Sequence, residues 1–267
     1  MLRVDAAISR VRRDITLSVL LKVVLTCAAI ACLIGGGSDN VRVVALLGIG
    51  SLWFWLSLNS ARSSRTSAES PLLIAAGQFE EAERNIERAV RTFSLFRAAK
   101  LQALHHLALL RHAQRRWQEA AALARALLGQ RLGPLQPISK STLLLLADSL
   151  LEMNDLRGTY EAMWALYRER LSLTEVLNLL PIQIDYSARI GAWPSMLDHV
   201  MDKVQLAELM PPALSARTQA FLALAAKKVG RPDMADWLRA RAELLADAQR
   251  LAAERPALTE LWEEKKS

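Results

Sequence analysis

The residues best suited to chemistry in this chain are three histidines, His105, His106 and His112, in the run HHLALLRH. Imidazoles bind metals or shuttle protons, but both tasks need rings that converge on one point. On a helix, His105 and His112 lie two turns apart, about 10 Å by helix rise, which is too far to share an ion. They are expected to be plain groove or surface histidines. No HExxH, GxSxG, P-loop, dinucleotide-glycine or CxxC pattern occurs anywhere in the sequence. The two cysteines, Cys27 and Cys32, sit in an apolar run, so there is no disulfide framework and a reducing compartment is unopposed. The chain is therefore expected to hold no catalytic site, no metal and no cofactor, and not to be an enzyme.

The elements that carry these residues repeat. In GQFEEAERNIERAV (77–90), Gly77 breaks a helix, and Phe79, Ala82, Ile86 and Ala89 fall on one face of the next. The same register returns as Trp117/Ala120/Ala124, Leu156/Thr159/Met163, Trp193/Met196/Val200 and Pro232/Ala235/Arg239. The anchors Ala82, Ala120, Thr159, Met196 and Ala235 are 38, 39, 37 and 39 residues apart, the spacing of stacked helical hairpins. First helices are expected at roughly 98–114, 140–153, 174–190 and 213–229, with Pro181 kinking the third of these. The first pair has a short first helix, capped by Ser70 with Pro71 behind it, and the last helix runs over about 233–254.

Upstream the composition changes. Residues 15–34 form an apolar run interrupted only by Lys22 among the strongly polar types, and a second apolar run covers 43–58, with GGGSDN (35–40) between the two. The first is long enough for a bilayer-spanning helix, the second is expected to be a second span, and the short turn makes them an antiparallel hairpin. Ala28, Ala31 and Cys32 against Gly48 and Ser51 are expected to let the helices approach closely, with Trp53–Trp55 at the interface. Lys22 is close enough to the end of its span to snorkel. Arg3, Arg10, Arg12 and Arg13 precede the first span and Arg62 and Arg65 follow the second, so both termini are expected in the cytoplasm. The net charge is +7, of which +4 lies in residues 1–70 and only +3 in the rest, with no basic stripe interleaved with aromatics. Nucleic acid is not an expected partner. The divisions are a basic N-terminus (1–14), a transmembrane hairpin (15–60), a polar linker (61–70), a helical array (71–254) and a charged cap (255–267).

The periodic units resemble the tetratricopeptide (TPR) superfamily over roughly residues 64–245, most closely in the first two. The resemblance implies an all-α fold, a transmembrane hairpin followed by a TPR-like α-solenoid of about five helix pairs. It also implies a concave groove lined by the first helices, and hence protein partners. By register its positions are Gln102, His105, Leu109 and His112; Asp148, Leu151 and Glu152; Asn178, Asp185 and Arg189; and Arg217, Lys227 and Lys228. The two-span hairpin followed at once by repeats is similar in layout to the HemY family, linked to heme biosynthesis. It is also similar to the membrane TPR subunit of Pel-type exopolysaccharide secretion. The expected role is a scaffold at the cytoplasmic face of the bacterial inner membrane, or an accessory subunit of a biosynthetic or secretion complex there.

Overall fold

The first three helical corners already carry the architecture: at each, a helix ends, one residue turns left-handed, and the next helix begins two residues later. The computed structural model describes residues 3–34, 39–130 and 136–262. Residues 1–2, 35–38, 131–135 and 263–267 lie outside these, among them most of the GGGSDN stretch expected to turn between the two spans. Every regular element among the described residues is helical. They divide into two units, 1–149 and 150–267.

The first unit holds α1 (Val4–Ile34), α2 (Asp39–Ala68), α3 (Ser70–Ala75), α4 (Phe79–Arg91), α5 (Arg97–Ala113), α6 (Trp117–Leu128) and most of α7 (Gln136–Glu152). The second holds the end of α7, α8 (Leu156–Tyr167), α9 (Leu173–Arg189), α10 (Trp193–Met196) and α11 (Val200–Glu208). It continues with α12 (Pro212–Lys228), α13 (Pro232–Leu245), α14 (Ala248–Glu254) and, after a 3-10 turn at Pro256–Leu258, α15 (Thr259–Trp262).

The sequence period is written in the backbone. Left-handed φ occurs at Gly77 (75°), Arg115 (60°), Asn154 (59°), Gly191 (72°) and Gly230 (79°), spaced as the anchors are. At each corner the following amide reaches back five residues: Gln78 to Leu73 O, Arg116 to Arg111 O, Asp155 to Leu150 O, Ala192 to Ser187 O and Arg231 to Ala226 O, at 2.8–2.9 Å. The left-handed residue itself bonds three back, which completes a Schellman motif and satisfies carbonyls that the ending helix orphans. Phe79, Trp117, Leu156, Trp193 and Pro232 each open the next helix. All five anchors are buried.

Four local expectations need correction. Residues 61–68 are not a linker but the last two turns of α2, and their end lies against α4 and α5. The cap of α3 is Glu69, not Ser70, which stands inside the first turn with its hydroxyl buried. In the fourth pair the second helix is broken: His199 adopts left-handed φ (51°), and Lys203 Nζ donates to the Ser195 and Met196 carbonyls at the end of α10. The last long helix stops at Leu245, because Ala246 is extended and Asp247 caps a separate α14 by accepting from Gln249 N. Pro181, by contrast, is buried within an uninterrupted α9.

Among the described residues, α1 and α2 are the two helices long and apolar enough to cross a bilayer. Exposed apolar side chains run from Leu17 to Ile34 and from Val41 to Leu58. Eighteen residues rise about 27 Å, close to a hydrocarbon core. Within this band Gly48 and Ser51 do not make the expected close contact: both are exposed, and a Cβ on Gly48 would meet nothing. Ser18 and Leu25 are buried there, Leu25 in the wall of a cleft of about 410 Å³ lined also by Thr26, Ala29, Leu46, Ile49, Gly50 and Trp53.

Outside the band both helices are built into the first unit. Asp14 on α1 sits 2.7 Å from the Lys100 ammonium on α5, which is 1% exposed and also donates to the Ala89, Val90 and Thr92 carbonyls at the end of α4. Burial pushes the Lys100 pKa down, and Asp14 opposes this. Ser60 Oγ accepts from Leu95 N at 2.9 Å, and Arg10 donates to Arg91 O at 3.0 Å.

Candidate functional site

The positions assigned to a groove fall into two groups, one in each unit. In the first unit α5 contributes Gln102, Leu109 and His112, all half-buried, and His105, which is buried. His105 is therefore neither a groove nor a surface residue. Thr142 spends its hydroxyl hydrogen on Ile138 O (2.7 Å), so its oxygen accepts from His105 Nδ1–H (3.1 Å). Nε2 is left to accept from Ser141 (3.2 Å), and this network assigns one neutral tautomer. Burial, then the neighbouring His106, lowers the His105 pKa to about 4. His106 is also buried, which lowers its pKa, and a hydrogen bond from its ring to the Ser67 backbone opposes this. His112 Nε2 meets Asp148 Oδ2 at 2.8 Å and sets its ring edge-on to Trp117. These contacts join residues 36 and 37 positions apart, one repeat, so α5 and α7 stack through the assigned positions. No group of three or more His, Cys, Asp or Glu among the described residues is arranged to hold a metal.

A second polar centre of the first unit was not singled out in the sequence. Arg111 is fully buried, with Nη2 on Glu83 Oε1 (2.9 Å), Nη1 on Gln114 Oε1 (2.7 Å) and Nε beside Glu119 Oε2 (3.2 Å). Burial pushes the Glu83 carboxyl up, but the Arg111 guanidinium outweighs it and its pKa is lowered. Together with Lys100 this arginine ties helix pairs together. No local pattern distinguishes either from a solvated surface cation.

In the second unit the assigned residues gather around the chain's own C-terminal segment. Glu152 takes both terminal nitrogens of Arg255, Nη1 at 3.0 Å on Oε2 and Nη2 on Oε1. Asp185, 3% exposed, accepts from Arg189 Nε at 2.9 Å on one oxygen, and its other oxygen forms an ion pair with Arg255, 3.0 Å from Nε. Arg189 Nη1 also donates to Leu151 O at 2.6 Å, and Leu151 itself is buried. Two carboxylates and two guanidiniums thus balance in forked geometry. Further on, Lys227 Nζ donates to the Glu260 and Leu261 carbonyls (2.6 and 3.3 Å), and Lys228 pairs with the Glu260 carboxylate. Arg217 on the same helix is half-buried, and Asn178 on α9 is exposed. Arg255 and Glu260 gave no sequence signal, since a charged tail reads as solvated. The arrangement offers forked recognition of a guanidinium and capping of helix-terminal carbonyls. These are binding functions, not proton transfer. No family model matches the chain, and no match is found for it among curated proteins or solved structures.

Proposed function

We propose that the chain is a membrane-anchored helical scaffold of the TPR type, which holds partner proteins at the cytoplasmic face of the bacterial inner membrane and catalyses nothing itself. The observation that carries this reading is the buried Asp14–Lys100 pair. With Ser60 and Arg10 it fixes the bilayer-proximal ends of α1 and α2 against α4 and α5. An anchor on a loose tether needs no buried ion pair, whereas a platform held at a set height above a membrane does. Support for the repeat reading comes from the five Schellman corners and their period.

The test is photo-crosslinking of the full-length chain in its native membrane, with the crosslinking residue at Gln102 or Asn178 and a control at Arg239. The expected outcome is one or a few recurrent membrane-associated adducts from the first two positions only. Equal labelling from all three sites would remove the reading.

A further inference from the structure

The segment after Ala246 is built like a bound ligand rather than like another repeat. Its helix α14 has seven residues and the described part of α15 four, well below the length at which a helix holds its own shape in water. It forms neither a Schellman corner nor a partner for a further helix. What orders it is the surface it lies on. Leu251, Leu258 and Leu261 are buried in the apolar cluster that α12 and α13 share. Arg255 fills the Glu152–Asp185 fork, and Lys227 and Lys228 hold the Glu260 end. Segments that acquire structure only on a surface are exchangeable in principle, because a competitor with the same chemistry replaces the same contacts. The residues it covers include Glu152, Asp185, Lys227 and Lys228, positions that the repeat register assigns to a partner.

We infer that the end of α7, α9 and α12 form a recognition site for an amphipathic protein segment that carries an arginine among leucines. Residues 247–262 occupy this site as an intramolecular competitor. The inference rests on the scaffold reading for the existence of such a partner, but the site and its chemistry are set by Leu251, Arg255, Leu258 and Leu261. Tethering raises the segment's effective concentration to about the millimolar range, so a partner must bind tightly or arrive at high local concentration. At a membrane, where both are confined, the second condition is readily met.

The test uses the full-length chain in lipid nanodiscs and a fluorescent peptide of residues 247–262 as probe. Arg255→Glu sets a third carboxylate against Glu152 and Asp185 and should release the segment. The expected result is peptide binding at least tenfold tighter in Arg255→Glu than in the wild type. Amide exchange should rise at least tenfold in 247–262 while α12 and α13 stay protected. A peptide carrying Arg255→Ala should lose at least tenfold in affinity. A second route avoids the charge change: a protease site inserted between Ala246 and Asp247 is cut in the folded chain. On dilution the segment should leave and added peptide should return. Exchange that spreads through α12 and α13 in both variants would show that the leucines are indispensable core and would overturn the inference. So would a cut chain that neither loses its segment nor takes up peptide. Recurrent crosslinks at Asn178 or Gln102 alongside either failure would leave the scaffold reading standing. Peptide exchange without such crosslinks would remove the scaffold reading alone.

Discussion

Ala120 and Ala122 are two residues apart on α6, and they differ in everything that matters for substitution. Ala120 is fully buried at a corner of the second helix pair, and Ala122 is exposed. Ala120→Leu should overpack the contact and cost about 1–3 kcal/mol, while Ala122→Leu should stay within about 0.5 kcal/mol. Amide exchange of α5 and α6 in the full-length protein reads both, and equal effects would refute the register. His105 gives a prediction in pH. Its folded pKa of about 4 lies below the usual 6.5, so between those values the unfolded chain takes up a proton that the folded chain refuses. Stability of the first unit should therefore fall as pH drops from 6.5 to 4, by up to about 3 kcal/mol from this residue, and level off below. His105→Gln should flatten that part of the profile, measured as the difference from wild type so that carboxylates common to both cancel. A wild-type profile already flat from pH 6.5 to 4 would contradict the buried neutral ring. Residues such as Ala120 were legible because periodicity reports burial. His105 was not, because a histidine on a helix face looks the same whether its partners are water or Ser141 and Thr142.

At the scale of elements, what the sequence disclosed was the corner and what it concealed was the long-range polar contact. The period located all five corners, yet only Gly77, Gly191 and Gly230 advertise a left-handed residue; Arg115 and Asn154 do the same work without glycine. That distinction is measurable. A Cβ on Gly77 meets open space, so Gly77→Ala should lose only the left-handed backbone cost, about 1–2 kcal/mol. Arg115→Ala, which already carries a Cβ in the same conformation, should change stability by no more than about 0.5 kcal/mol. A Gly77→Ala variant as stable as wild type would mean the corner relaxes. The polar stretch at 61–68 was misread as a linker because its composition is that of one. It stays helical since Ser60 at its start and the Ser67 backbone near its end find partners across the fold, which no local pattern records. Asp14 and Lys100 are 86 positions apart, so their pairing was equally invisible. Asp14→Ala leaves the Lys100 ammonium buried with carbonyls alone and should cost about 3–5 kcal/mol. Lys100→Met in the same background should recover a large part of it. Additive losses in the double variant would show that the two residues do not interact.

For the whole molecule, the proposed membrane anchor raises the question of the side on which the helical units lie, and the answer separates into two parts. The first is geometric. Arg10 near the start of α1 bonds Arg91 of α4, and Ser60 near the end of α2 bonds Leu95. Both outer ends of the hairpin therefore meet the same array, and the N-terminus shares its side whichever way the hairpin inserts. The second part is electrostatic. Arg3, Arg10, Arg12, Arg13, Arg62 and Arg65 cluster at those outer ends, against Asp39 and Arg42 at the inner turn, which favours the cytoplasm for the former. A reporter that fluoresces only in the cytoplasm should be active when fused before Met1 or after Ser267, and silent at Gly37. A reporter that folds only after export should show the reverse. Termini on opposite sides would break the geometric part and with it the hairpin. Termini together on the exported side would keep the hairpin but place the recognition surface away from every cytoplasmic partner, and the scaffold reading would fall. Moving the bias should move the protein: replacing Arg3, Arg12 and Arg13 by glutamine while adding three lysines at 36–38 should populate the inverted form. Arg10 is spared, because its bond to Arg91 would confound stability with topology.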